Sequence, residues 1–274
     1  MATQVLLRAY DEQLRTQAEM ARATKVDRDG PLWRGVFDHG GFVSYRDLGG
    51  IEGDALDALV ERTVAHYRDD TDVAAFEWKS RGHDRPADLG ERLVAHGFVA
   101  EPRETVMIGE ASLLDVDVPL AETPEGPVVV RRLEPGPSAV DDLTRMLVAQ
   151  ESVFGTGRGP SLESSLAELE SGDSEFWVAE VAGRVVCGGR LTPVPGTEFA
   201  GIWGGSTLPD YRGRGIYRAL VAARARSATA RGIRFINSDC TDMSRPILER
   251  SGLQAVTTTT PYVWTRRLDG QSGA

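Results

Sequence analysis

Residues 209–220 constrain the fold and function of this chain more than any other stretch. They read Pro-Asp-Tyr-Arg-Gly-Arg-Gly-Ile-Tyr-Arg-Ala-Leu and join a strand-like run, residues 199–203, to an alanine-rich helical pattern. A glycine-rich turn there aims unpaired backbone N–H groups and the positive end of the helix dipole at one point. Arg212 and Arg214 add permanent charge that suits phosphate. This cradle loop, residues 211–217, therefore predicts a phosphate or pyrophosphate site.

Three nucleotide or catalytic motifs do not fit the sequence around the cradle loop. The dinucleotide fingerprint needs a third small residue where Arg218 stands. The P-loop needs Gly-Lys-Ser or Gly-Lys-Thr, and the chain contains neither. Residues 204–208 begin like a nucleophile elbow, but Leu208 replaces its closing glycine.

Composition limits the class of protein and its partners. The 274 residues, 41% hydrophobic and 26% charged, suffice for one large globular domain or two ordinary ones. The sequence shows no membrane-spanning run and no signal-peptide layout, and Cys187 and Cys240 are too few for a disulfide framework or a cysteine zinc site. We therefore expect a cytoplasmic protein with no metal. The net charge of −10 argues against nucleic acid, and it fits either a cationic substrate or simple solubility.

The second half of the chain alternates strand-like and helix-like patterns. We predict strands at 128–133, 176–181, 184–191, 199–203 and 233–237, helices at 138–153, 161–169, 216–231 and 244–250, and a β-rich tail at 255–268.

With this order of elements, the cradle loop resembles the pyrophosphate loop of the GCN5-related N-acetyltransferases. The family pattern is Arg or Gln, two residues, Gly, one residue, then Gly or Ala; Arg212 and Gly215 fill the first two fixed places, and Tyr217 stands where a small residue is usual. The helical run 244–250 and Gly252-Leu253 also resemble the family's closing helix and its Gly-Phe ending. The resemblance covers residues 128–268.

The first half repeats part of this scaffold. We predict a strand at 41–46, a helix at 54–67, a strand at 73–78, a helix at 86–95 and β-structure at 99–108. Residues 49–53 stand where a cradle would be, but they contain no arginine, and Glu52 and Asp54 would repel pyrophosphate.

The predicted organisation is thus a degenerate unit at 1–114, a linker at 115–127, an acetyltransferase unit at 128–268 and a tail at 269–274. The fold class is α/β (α+β), with a mixed, mostly antiparallel, splayed sheet flanked by helices in two tandem units. Two copies in one chain could replace a dimer, so both a monomer and a homodimer fit.

The resemblance implies acetyl-CoA as cosubstrate, with its pantetheine arm paired to the strand before the cradle loop. The cofactor-binding residues that it implies are Ser206, Thr207, Leu208, Arg212, Gly213, Arg214, Gly215, Ile216, Tyr217 and Ser244. A backbone N–H on the same strand could polarise the thioester carbonyl.

The acid and the base are less apparent from the sequence. Members of the family often carry a tyrosine in the closing helix as thiolate acid, but Leu248 occupies that place here, and all four histidines lie in the first half. The base candidates in the catalytic unit are Glu151, Asp239 and Asp242, and Cys240 and Tyr262 are the acid candidates. A coenzyme A thiolate could also leave without an acid.

Three functions remain open at this point. The first is an acyl-CoA-dependent N-acyltransferase that moves acetyl to a primary amine of a small molecule, with residues 152–160 forming part of the acceptor pocket. The second is a protein N-acetyltransferase. The third is a coenzyme A-binding protein without catalysis, which Leu248 favours.

Overall fold

The computed structural model describes residues 3–38, 40–155 and 159–266. His39, residues 156–158 of the expected acceptor segment, residues 267–268 and the tail at 269–274 lie outside the described residues. In the described part of the chain, no helix is both long and apolar enough to cross a membrane.

Twelve strands form one sheet, and eight α-helices pack against it in the described part of the chain. The strands are β1 (Lys25–Asp29), β2 (Leu32–Phe37), β3 (Gly40–Ser44), β4 (Ala75–Arg81), β5 (Val99–Ala100), β6 (Glu104–Glu110), β7 (Val128–Arg132), β8 (Glu175–Val181), β9 (Arg184–Pro193), β10 (Phe199–Thr207), β11 (Phe235–Cys240) and β12 (Gln254–Thr265). The helices are α1 (Thr3–Gln13), α2 (Gly53–Asp69), α3 (Leu89–Ala95), α4 (Ala111–Leu114), α5 (Ala139–Phe154), α6 (Leu162–Ser171), α7 (Ile216–Ala230) and α8 (Arg245–Ser251). Short 3₁₀ turns lie at Gln17–Met20 and Pro209–Tyr211.

The two halves of the chain exchange their last strands. The sheet order is β1-β2-β3-β4-β12-β6-β11-β10-β9-β8-β7, with β5 paired to β12 off this path. Thus β12, from the C-terminal half (residues 128–266), lies between β4 and β6 of the N-terminal half (residues 3–114), while β6 pairs with β11. One sheet therefore runs through both halves.

Two parallel strand pairs interrupt this antiparallel sheet, one in each half. In the C-terminal half, β10 and β11 pair only over residues 199–201 and 235–237. In the N-terminal half, β3 and β4 pair only over residues 41–43 and 76–78. Beyond these short pairings the strands diverge, so each half contains a V-shaped gap in the sheet.

The helices pack on both faces of the sheet, with α5 on one face and α7 on the other. On β9, a Cβ added at Gly188 would meet Met146 of α5, and one added at Gly189 would meet Arg224 of α7. Because neighbouring strand residues point to opposite faces, α5 and α7 lie on opposite faces. Helix α8 shares a buried cluster with α7, whereas α1 packs with Phe199 and Phe235 on the face of α5.

The structure contains elements beyond those expected from the sequence. Helix α1 and strands β1 and β2 precede the first predicted strand, and α4 precedes the linker. The β-rich tail forms β12 as expected, but its partners β4 and β6 belong to the N-terminal half. The domain boundaries stay a prediction, since strand exchange places chain from each unit beside the other.

Candidate active site

The cradle loop joins β10 to α7 and leaves the first turn of α7 open. Gly213 and Gly215 adopt φ angles of +74° and +82°, which only glycine adopts without strain. Gly215 is the N-cap of α7, and in the described part of the chain no side chain caps it. Unpaired N–H groups and the helix dipole therefore favour an anion here.

A cavity of about 420 Å³ lies beside this helix end. Among the described residues that line it are three arginines, Arg212, Arg218 and Arg250, and none is acidic. Such a concentration of guanidinium groups is notable in a chain of net charge −10. Arginine binds phosphate oxygens in bidentate geometry, so the cavity suits a ligand with several phosphate groups.

The gap between β10 and β11 extends this cavity into the sheet. Beyond Gly201, the structure describes no strand paired to the edge of β10 that faces β11. Ser206 and Thr207, further along β10, line the cavity. An extended ligand arm could therefore pair with the backbone of β10 as an added strand does.

A bulge in β10 lies where two cavities approach each other. The pairing of β10 with β9 shifts between Trp203 and Ser206, which leaves Gly204 and Gly205 out of register. Gly205 lines the 420 Å³ cavity, whereas Gly204 lines a second cavity of about 590 Å³ beneath α5 and α6. Phe154 lines both cavities, so it marks their boundary.

Comparison with known proteins now assigns the family. The family model described as "Acetyltransferase (GNAT) family" matches residues 142–247, which include the cradle loop and the first three residues of α8. This part of the chain is a GNAT domain. No curated protein sequence matches the chain.

Solved GNAT structures extend the likeness to most of the chain. A GCN5-related N-acetyltransferase from Kribbella flavida superimposes with a TM-score of 0.63 at 16% identity, covering 95% of this chain and 93% of that one. One from Sphaerobacter thermophilus gives 0.62 at 21% identity, covering 87% and 78%. A tandem GNAT protein from the clavulanic acid biosynthesis pathway gives 0.55 at 13%, covering 87% and 79%. The predicted fold class, a mixed, mostly antiparallel, splayed sheet flanked by helices and GNAT-like in two tandem units, is confirmed.

Most of the expected cofactor residues of the GNAT domain line the 420 Å³ cavity. They are Ser206, Thr207, Arg212, Gly213, Gly215, Ile216, Tyr217 and Ser244. Leu208 is instead buried in the core. The guanidinium of Arg214 points to the linker, where its Nη1 donates to the carbonyl oxygen of Glu122 at 2.9 Å.

Sequence reasoning did not identify two arginines of this cavity. Arg218 lies in the first turn of α7, and Arg250 lies in the last turn of α8. Arg218 could have been found, because a helix that starts at an anion site presents its first turn to the ligand. Arg250 depends on how α8 packs, which no local pattern reveals.

Of the five candidate acids and bases, Asp242 is exposed in the turn before α8, and the other four lie at separate places. Glu151 lines the 590 Å³ cavity together with Gly204. Asp239 faces the side of α1, and Lys79 Nζ lies 3.1 Å from its carboxylate. Cys240 is buried on the side of α7, and burial raises the pKa of its thiol to about 11.

Tyr262 belongs to the C-terminal half in sequence, but β12 places it against the N-terminal half. It pairs with Trp78 of β4, and a Cβ added at Gly90 of α3 would lie 2.1 Å from its hydroxyl oxygen. The structure therefore does not bring Tyr262 to the cradle loop. Leu248, in the place of the usual GNAT tyrosine, is fully buried in the cluster of α7 and α8.

A cluster of buried charged and polar groups lies in the N-terminal half. It lies near the ends of β3 and β4, where these strands diverge after their short parallel pairing. Arg15 Nη2 lies 2.5 Å from the carboxylate of Asp84, and the hydroxyl of Tyr45 donates to the same carboxylate at 2.6 Å. His83 and Asp11 extend this cluster. These groups already pair with one another, and binding of the cofactor by the C-terminal unit alone stays a prediction.

The described residues contain no group of three or more His, Cys, Asp or Glu side chains that could hold a metal ion.

Proposed function

We propose that this protein is an acyl-CoA-dependent N-acyltransferase that moves acetyl from acetyl-CoA to a primary amine of a small molecule. The observation that carries the proposal is the 420 Å³ cavity, which combines Arg212, Arg218 and Arg250 with an uncapped helix N-terminus and an open strand edge. The arginines and the helix end would hold the phosphates, and Ser206 and Thr207 would contact the pantetheine arm.

The acceptor amine would enter from the face of the sheet that α5 covers. The 590 Å³ cavity there has the size of a small-molecule site and meets the bulge of β10 at Gly204. Phe154, Gly155, Gly159 and Pro160 line it, so the described part of the expected acceptor segment contributes to its wall.

Glu151 is the base that this geometry favours. It lines the acceptor cavity with Gly204, whereas Asp239 is paired with Lys79 and Cys240 is buried in the core. A carboxylate at this position could take the proton that the amine loses when it attacks the thioester carbonyl. Cys187 and Cys240 are both free and buried, which suits the reducing cytoplasm that we propose as its location.

Binding is the first test of this proposal, and α8 offers a matched pair of variants. Acetyl-CoA at millimolar concentration is expected to raise the melting temperature of the wild type. Arg250→Ala removes a cavity arginine and is expected to weaken binding about 10-fold or more. Arg245→Ala removes an arginine of the same helix that pairs with Glu249 at 2.8 Å, and it is expected to bind like the wild type.

Thiol release from acetyl-CoA across a panel of amines is the second test. A small amine that accelerates release, with the acetylated amine found by mass spectrometry, supports the proposal. Acetylation of peptides alone would favour a protein N-acetyltransferase. Binding without any accelerated release would favour a coenzyme A-binding protein, and absence of binding would contradict the cavity assignment.

A further inference from the structure

Arg224 of α7 is a fully buried cation without an acidic partner among the described residues. Its Nε donates to the carbonyl oxygen of Leu220 at 3.2 Å, and its Nη1 donates to that of Arg190 at 3.1 Å. Its Nη2 is buried and has no hydrogen-bond partner in the described structure. Because burying an unpaired charge is costly, this arginine is expected to serve a purpose beyond packing.

Tyr217 lies two turns earlier on the same side of α7, and its phenol interacts electrostatically with this guanidinium. Burial raises the pKa of the Tyr217 phenol, and the charge of Arg224 opposes that rise. A guanidinium carries only hydrogen-bond donors, so the phenol oxygen could only accept from it. The proton of Tyr217 is then free to be donated elsewhere.

The ring of Tyr217 lies at the bulge of β10, inside the cofactor cavity. A Cβ added at Gly205 would be 2.5 Å from Cε2 and 2.7 Å from the hydroxyl oxygen of Tyr217. Tyr217 also lines the 420 Å³ cavity together with Ser206 and Thr207. If the pantetheine arm runs along this part of β10, its sulfur ends beside the bulge and within reach of the phenol.

We propose that Tyr217 donates a hydrogen bond to the sulfur of the bound thioester and stabilises the thiolate as it leaves, and that Arg224 is the positioning residue behind it. This inference rests on the proposed function. It assigns a catalytic role to the large side chain that stands in place of the usual small residue, in a chain where Leu248 replaces the usual tyrosine.

The transfer balances without any further reactant. The lone pair of the amine nitrogen forms the new bond to the carbonyl carbon, and the bond from that carbon to sulfur breaks. The electron pair of the broken bond goes to sulfur, whose charge the hydroxyl of Tyr217 stabilises while keeping its own proton. The nitrogen gives its extra proton to the base, and the released thiolate exchanges protons with water.

The pKa of the thiol of bound coenzyme A tests this role without knowledge of the acceptor. The ultraviolet absorbance of the thiolate is measured as a function of pH. The same titration with bound desulfo-coenzyme A, which has no thiol, is subtracted to remove the absorbance change from tyrosine ionisation. Tyr217→Phe keeps the ring and is expected to raise this pKa by about one unit relative to the wild type. Tyr262→Phe is the control, because Tyr262 packs against β4 and α3 of the N-terminal half, and it is expected to leave the thiol pKa unchanged.

Arg224 is tested by the same readout. Arg224→Met removes an unpaired buried charge, so the variant is expected to fold, and its bound thiol pKa is expected to move toward that of Tyr217→Phe. Arg224→Lys retains a positive charge and is expected to restore part of the difference. A role in packing alone would leave the thiol pKa of all these variants equal.

Three results would overturn the inference. If coenzyme A bound to Tyr217→Phe has the same thiol pKa as coenzyme A bound to the wild type, Tyr217 has no such role. The proposed function would still stand. Binding to Tyr217→Ala at least tenfold tighter than to the wild type would show that the ring occupies the place of the pantetheine arm. Failure of the wild type to bind coenzyme A would overturn the proposed function and this inference with it.

Discussion

Lys79 Nζ lies 3.1 Å from the carboxylate of Asp239 and joins β4 of the N-terminal half to β11 of the C-terminal half. Both side chains are largely shielded, with 21% and 9% of their surface exposed. Burial lowers the pKa of Lys79, but the carboxylates of Asp239 and Glu77 outweigh it, so the pKa lies above its ordinary value. The ammonium therefore stays charged and depends on these partners.

Asp239→Asn is expected to lower the free energy of unfolding by about 1–3 kcal/mol, because it leaves the shielded Lys79 with only the more distant Glu77. Lys79→Met combined with Asp239→Asn is expected to recover part of the loss, which a double-mutant cycle in urea would measure. Glu198→Gln is the control, since its pair with Arg234 is about half exposed, and it is expected to cost less than about 0.5 kcal/mol. Strictly additive losses in the cycle would contradict a direct interaction.

Arg212 and Arg214 are neighbours in the cradle loop but differ in what they contact. Arg212 lines the cofactor cavity, and Arg214 donates to the backbone of the linker. Arg212→Ala is therefore expected to raise the Kd for acetyl-CoA about 10-fold or more, measured by titration calorimetry. Arg214→Ala is expected to change it far less. Equal losses in the two variants would mean that Arg214 leaves the linker when the cofactor binds.

The local part of this site could be predicted from the sequence. The glycines, arginines and alanine-rich helix of the cradle loop act over a few residues, so their pattern predicts a strand, a turn and a helix with an anion at its start. Helix α1 also has a local signal, because its buried residues Leu6 and Tyr10 are spaced as on one face of a helix.

The contacts between residues far apart in sequence could not be predicted, because the residue pattern of a strand does not indicate which strand it pairs with. Tyr262 follows the closing helix in sequence, yet β12 crosses into the N-terminal half and carries it away from the cradle loop. Lys79 and Asp239 are 160 positions apart, and only the exchange of β6 and β12 makes their strands part of one sheet. Such contacts depend on which strand edges meet, and residue patterns of period two leave that open.

Gly213 and Gly215 offer a test of how the linker packs on the cradle loop. Both have positive φ, so alanine is strained by about 1 kcal/mol at either position. A Cβ at Gly215 would also lie 2.9 Å from the carbonyl oxygen of Pro119, whereas one at Gly213 would meet nothing within 4 Å. Gly215→Ala is therefore expected to lose about 1–2 kcal/mol more than Gly213→Ala in urea unfolding. Equal losses would show that the linker does not rest on the loop.

Glu104 of β6 makes the free energy of unfolding depend on pH, and the direction of its pKa shift gives the sign of this dependence. Burial raises the pKa of its carboxyl group, and the nearby Asp239 carboxylate raises it further. The folded protein thus holds this proton more tightly than the unfolded chain does. The resulting stabilisation is fully present below the ordinary glutamate pKa of about 4.3 and is lost as pH rises through the raised pKa.

Glu104→Gln removes this titration, because glutamine is neutral at every pH. The variant is expected to gain free energy of unfolding relative to the wild type as pH rises from about 4 to about 7, which urea unfolding at several pH values would measure. In an Asp239→Asn background the gain is expected to shrink, since the neighbouring charge that raises the pKa is gone. If the difference in free energy of unfolding between wild type and Glu104→Gln stays constant across this range, Glu104 has the same pKa in the folded and unfolded states, which contradicts the prediction.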